Sequence, residues 1–131
     1  MQLNDNDNLL DAAKADNLLD AVKAAYNALE DKMGEDIIVL DVCEVSSLAD
    51  YFIIASGNST SQLKAMADHV GLKLHQAGIN MRHSEGTQAA RWILLDFGSI
   101  IVHIFNKEDR EYYRLERLWG DGRTISRDEL A

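Results

Sequence analysis

The chain has 131 residues, 47% of them hydrophobic, which suits one domain with one core. Acidic residues outnumber basic ones 22 to 13, a net charge of −9, so binding to nucleic acid through clustered cations is not expected. No apolar run approaches the ~20 residues of a membrane span, the acidic N-terminus with Lys14 as its base does not resemble a targeting peptide, and Cys43, the single cysteine, cannot build a disulfide framework or a Cys-rich metal site; a reducing, cytoplasmic compartment fits best.

The hexamer DNLLDA occurs at Asp7–Ala12 and again at Asp16–Ala21. An offset of nine residues turns an α-helix by about 900°, so the two Leu pairs fall on opposite faces and cannot share one buried stripe. The second copy continues in helical spacing through Leu18, Val22, Ala25, Tyr26, Leu29 and Met33, with Asp16 as cap and Gly34 as stop, which predicts a first helix over 16–33. Residues 1–15 then form an N-terminal extension, 16–121 the domain, and 122–131 a loose polar tail. Two β-branched apolar runs follow, Ile37–Val42 and Tyr51–Ser56, and both read as buried strands. Cys43, expected mid-strand within this apolar stretch and with no base beside it, reads as a buried structural thiol.

Gly57-Asn58-Ser59-Thr60-Ser61 opens a second helix, in which Ser59 and Gln62 have capping-box spacing and Leu63, Met66, Ala67, Val70 and Leu74 form the apolar stripe up to Gly78. A strand-to-helix turn of this kind can also hold an anion, which keeps open a nucleotide-binding or nucleotidyl-transferring enzyme built on the Gly57 loop. The loop has no lysine, and Asp36 and Asp41 lack the close spacing of a two-metal acid pair, so capping is the simpler reading. Ile79–Gly86 is expected to be a short irregular strand and loop.

The clearest local signal is a hairpin, Arg91–Phe97 and Ile100–Phe105, joined at Gly98-Ser99 with glycine at the first turn position of a type II′ connection. That turn fixes the register. Phe97 faces Ile100, Leu95 faces Val102 and Ile93 faces Ile104 on one apolar face, which belongs against the helices. The other face pairs Trp92 with Phe105, Leu94 with His103, and Asp96 with Ile101. Aromatic rings beside a few fixed polar groups suit a protein-binding patch, or else a face covered by a helix or by a second copy of the chain in a homodimer. A last helix is predicted over Lys107–Trp119, carrying Tyr113. Together these elements predict an α/β fold: a single domain with a mixed sheet of about five strands and helices mainly on one face.

Signals for catalysis or cofactors are weak. His69, His75, His83 and His103 lack the i, i+4 spacing of a helical metal pair, the two-residue spacing of His83 and Glu85 is common by chance, and neither a nucleophile elbow nor a phosphate-binding loop with its lysine is present. No catalytic residue, cofactor site or metal site is assigned.

Several segments, in order, carry a resemblance. Asp36–Val42, Ser46-Ser47, Ala49–Phe52, Ser56–Ser61, Glu85-Gly86, Trp92–Gly98, Val102–Phe105, Tyr113, Leu115-Glu116 and Leu118-Trp119 are similar to the ribosomal silencing factor, or Iojap-like, family, over roughly residues 18–121. The resemblance implies a fold like that of nucleotidyltransferases without their catalytic acids. It also implies a translational repressor that binds ribosomal protein fourteen of the large ribosomal subunit and so blocks joining of the small subunit. Carried over by position, Trp92 and Asp96 fall on the partner-binding surface and Tyr113 contributes; the hairpin register adds Leu94, Ile101, His103 and Phe105. The doubled DNLLDA has no counterpart in the family pattern, and Met81 and His83 stand where the family commonly carries Pro and Gly.

Overall fold

Residues 18–44, 49–86, 91–108 and 123–130 are described by the structure, a computed structural model. Helix α1 (18–31) buries Val22, Ala25 and Leu29 of the predicted stripe together with Ala21 and Ala28, while Leu18 and Tyr26 are half-buried. The stripe stops there. Met33 is 78% exposed with a φ of 63°, because the chain has already left the helix to turn into the sheet. The turn is tight: the Gly34 N–H donates to the Leu29 carbonyl, and a Cβ on Gly34 would lie 2.9 Å from that oxygen. The Asp16 cap, the first DNLLDA copy and the 1–15 extension lie outside the described residues.

Strands β1 (Glu35–Asp41) and β2 (Tyr51–Gly57) pair antiparallel, with a register shift between Glu35 and Ile38. Asp36 has a φ of 50° within that shift. Aspartate tolerates the left-handed region better than its β-branched neighbours, so the irregularity sits where the sequence permits it. The pairing ends at Asp41 with Tyr51, and this corrects the expectation for Cys43. Its side chain is exposed in the turn beyond the strand, and its N–H donates to Asp41 Oδ1 at 3.2 Å. The Asp41 carboxylate beside it pushes the thiol pKa upward, away from a reactive thiolate.

Helix α2 (Thr60–Gln76) is capped by Ser59, whose Oγ accepts the Gln62 N–H at 3.1 Å. All five stripe residues from Leu63 to Leu74 are buried. The helix ends in a Schellman arrangement: Gly78, at φ 86°, donates to His75, and Ile79 donates to Leu74 and packs against the core. Strand β3 (His83–Glu85) is short and exposed. The hairpin of β4 (Trp92–Asp96) and β5 (Ile100–Asn106) has the predicted register at all five pairs from Trp92–Phe105 to Asp96–Ile101. Gly98 has the positive φ, 87°, that the first turn position requires.

The tail departs from expectation. Arg123–Ile125 forms β6, which pairs antiparallel with β1, and Arg127–Leu130 forms a short helix, α3. Residues 123–130 are therefore not a loose polar tail. Ile125 and Leu130 are buried in the core, and Arg123 bonds Glu129 at 2.7 Å. Two apolar residues among polar ones are too sparse to show a period, and they are anchored only once β1 offers an edge.

The sheet order is β3-β4-β5-β2-β1-β6, with β2 and β5 parallel and the other described pairings antiparallel. It is the single-domain α/β fold with a mixed sheet, of six strands rather than five because of β6. One face buries Val39, Ile53, Ala55, Ile93, Leu95, Val102 and Ile104 against α1 and α2. Phe97 and Ile100 join the same cluster, as the hairpin register requires.

Candidate functional site

The opposite face of the sheet has its own apolar cluster. Leu40 and Val42 near β1, Phe52 and Ile54 on β2, and Phe105 on β5 are buried together, with Ile38, Ile101 and Trp92 half-buried at the margin. Parallel pairing sets Phe52 beside Ile101 and Ile54 beside His103, so this face runs continuously from β1 to β4. The sequence pattern missed Phe52 and Ile54 as members. A strand buried on both faces reads as an unbroken apolar run, so alternation cannot say which side chain lies where.

The hairpin's mixed face divides into an outer and an inner set. Trp92, Leu94, Asp96 and Ile101 are half-exposed. Phe105 is fully buried and His103 only 7% exposed, so of the expected partner-binding residues these two lie beneath the half-exposed ones. Strand β5, which carries both, lies between β4 and β2 within the sheet, and the two side chains form a floor. Trp92 stacks on Phe105 with ring centroids 5.1 Å apart, and its Nε1–H donates to His103 Nδ1 at 3.2 Å. His103 meets Phe52 edge-on at 5.4 Å. Burial depresses the His103 pKa to about 4, so the imidazole is neutral at physiological pH.

Asp96 holds the hairpin turn, its Oδ1 accepting the Gly98 N–H at 2.7 Å. The carboxylate therefore braces the loop as well as facing outward. Tyr113 and most of the predicted last helix lie outside the described residues.

The Gly57 loop is occupied by the protein itself. Gln62 Oε1 accepts the Asn58 N–H at 2.7 Å, while Gln62 Nε2 donates to the Lys32 and Met33 carbonyls, both at 3.0 Å. Gln62 thus ties the helix start to the α1–β1 turn instead of bonding back to Ser59 as in a capping box. A Cβ on Gly57 would lie 2.8 Å from Leu63, and Glu35 lies against Asn58 and against Lys107 at 3.2 Å. A carboxylate at the loop opposes a phosphate there. His83 and Glu85 bond each other at 3.1 Å on exposed β3, and no group of three or more potential metal ligands converges among the described residues. No described helix is long and apolar enough to cross a membrane.

Comparison with known proteins gives one consistent result. The family described as "Ribosomal silencing factor during starvation" matches residues 15–131. The ribosomal silencing factor RsfS of Bacillus subtilis is 46% identical over 99 residues, covering 76% of this chain and 84% of that protein. A mouse protein named for mitochondrial assembly of the ribosomal large subunit is 38% identical over 96 residues, covering 70% of this chain and 41% of its own length. A crystal structure from Chromobacterium violaceum superposes with a TM-score of 0.74 at 42% identity, covering 81% of this chain and 88% of that one. Fold and sequence agree, and the chain belongs to the ribosomal silencing factor family, whose description is that of a regulator of the ribosome.

Proposed function

We propose that this protein represses translation in the cytoplasm by binding ribosomal protein fourteen of the large ribosomal subunit and covering the surface on which the small subunit docks. Membership of the family, over residues 15–131, is the observation that carries this reading. The sheet face opposite α1 and α2 supplies a suitable contact. Trp92 is the apolar anchor, Leu94 and Ile101 widen the patch, and Asp96 offers a carboxylate to a basic partner. Phe105 and His103 act from beneath by holding Trp92, and Tyr113 is carried from the family resemblance. The action is occupancy rather than catalysis, and it calls for no cofactor or metal.

Co-sedimentation with isolated large and small subunits tests the proposal, followed by light scattering of subunit joining. Binding to large subunits alone, with slower joining, is the expected result. Binding to neither would refute it, and a free protein twice the expected mass would indicate that a second copy occupies the face instead. Micromolar binding of ATP or GTP with Mg²⁺ in calorimetry would restore the nucleotide reading of the Gly57 loop.

A further inference from the structure

The imidazole of His103 is the polar side chain on an otherwise apolar stretch, Ile100-Ile101-Val102 before it and Ile104-Phe105 after it. An aliphatic residue would fill the same space without a polar atom to satisfy. The hydrogen bond to Trp92 explains what the imidazole adds. Because the indole N–H can only donate, Nδ1 must carry the lone pair, so the neutral ring holds its proton on Nε2. No hydrogen-bond partner for that Nε2–H occurs among the described residues. The ring is therefore kept in one tautomer for a single directed contact, to a half-exposed tryptophan.

Among the described residues the indole stacks on Phe105 at 5.1 Å, approaches the His103 ring at 5.9 Å, and donates from Nε1 to Nδ1 at 3.2 Å. Stacking fixes the plane of a ring but leaves it free to slide and flip within that plane. A hydrogen bond at one edge removes that freedom. We propose that His103 is a positioning residue for the partner surface: its Nδ1 locks the Trp92 indole into one orientation before the partner arrives. The ordering entropy of the anchor is then lost on folding and not on binding. The inference rests on the reading of Trp92 as a partner contact.

Equal-sized replacements separate the acceptor from packing. Asn places Oδ1 near the position of Nδ1, whereas Leu has the same bulk and no acceptor. The test uses a Trp119→Phe background, so that one indole reports. The indole N–H resonance and its exchange with solvent are measured by NMR, and affinity by co-sedimentation with isolated large subunits. His103→Leu should be at least as stable as His103→Asn, yet its indole N–H should exchange at least 10-fold faster and its affinity fall about 10-fold. His103→Asn should retain both signals within about 3-fold, so affinity runs against stability, which a purely structural role would not produce. His103→Phe is a second variant without the acceptor, available if the Leu protein does not fold. Unchanged exchange in the acceptor-free variants, or faster exchange with unchanged affinity, overturns the proposal. A Trp92→Ala protein that binds large subunits normally overturns the partner-surface reading instead, so the two failures are distinguishable.

Discussion

Replacing Trp92 with Ala perturbs both folding and binding, in different proportions. On the folding side the variant loses a ring stack on Phe105 and a hydrogen bond to His103. Each contributes ~0.5–1.5 kcal/mol, so the loss is about 2 kcal/mol for a side chain that is only half-buried. A domain of this size holds roughly 5–15 kcal/mol and stays folded, with Tm lowered by roughly 7 °C. On the binding side a central interface tryptophan contributes ~2–4 kcal/mol, or ~30- to 1000-fold in affinity. Thermal melting and co-sedimentation on one preparation give both numbers. Binding should be lost at temperatures where melting shows the protein fully folded. A melting point lowered by more than about 15 °C would make Trp92 a core residue, and unchanged affinity would remove it from the partner surface. Either result refutes the reasoning.

Four other substitutions or conditions test separate contacts. Asp96→Asn keeps an acceptor for Gly98 and loses the charge, so it should weaken binding most at low salt with little change in stability, whereas Asp96→Ala should also lose ~1–3 kcal/mol in urea denaturation. Ser59→Ala removes the cap of α2 and should lower stability by ~1 kcal/mol in the same assay while leaving large-subunit binding intact. Ile125→Ala should destabilise the fold by ~2–4 kcal/mol, a loss that a loose tail would not produce. The folded-state pKa of His103 is depressed from 6.5 to about 4, so its contribution to stability is fully present above pH 6.5 and is lost as the pH falls toward 4. Urea denaturation should show about 2 kcal/mol lost between pH 7 and pH 5, a slope that His103→Leu reduces.

The hairpin was legible because two-residue turns fix register. Gly98 fixed the turn, and every cross-strand pair from Trp92 to Asp96 followed. The α2 stripe was legible for the same kind of reason, a period unbroken from Leu63 to Leu74. Depth within the sheet was not. Whether Phe105 and His103 are exposed depends on β2 lying beside β5 in parallel, a pairing between segments far apart in sequence that no local pattern encodes. Cys43 failed for a related reason. Hydrophobicity carries on through Val42, but the sheet ends where its partner strand ends, at Asp41 and Tyr51. The second strand edge of β1, which orders Ile125 in the tail, is likewise a property of the assembled sheet.

On the proposed function, the two faces of one sheet divide the work of folding and recognition. The face toward α1 and α2 is aliphatic at Ile53, Ile93, Leu95, Val102 and Ile104, which are closely packed against helix residues. The opposite face carries rings and a buried imidazole in a cluster of its own. A contact surface built on β4 and β5 inherits the rigidity of strands paired on both sides, β4 by β3 and β5, β5 by β4 and β2. As the proposed anchor, Trp92 would meet a partner already stacked and hydrogen-bonded, with little rotamer freedom left to lose. On the proposed function, the net charge of −9 would act at longer range, raising the encounter rate with a basic surface and weakening as salt screens it. Rigidity of the proposed anchor would then govern how slowly the complex separates, and charge how fast it forms. Disrupting His103 should therefore raise the dissociation rate at every salt concentration, whereas neutralising Asp96 should lower the association rate mainly when salt is low.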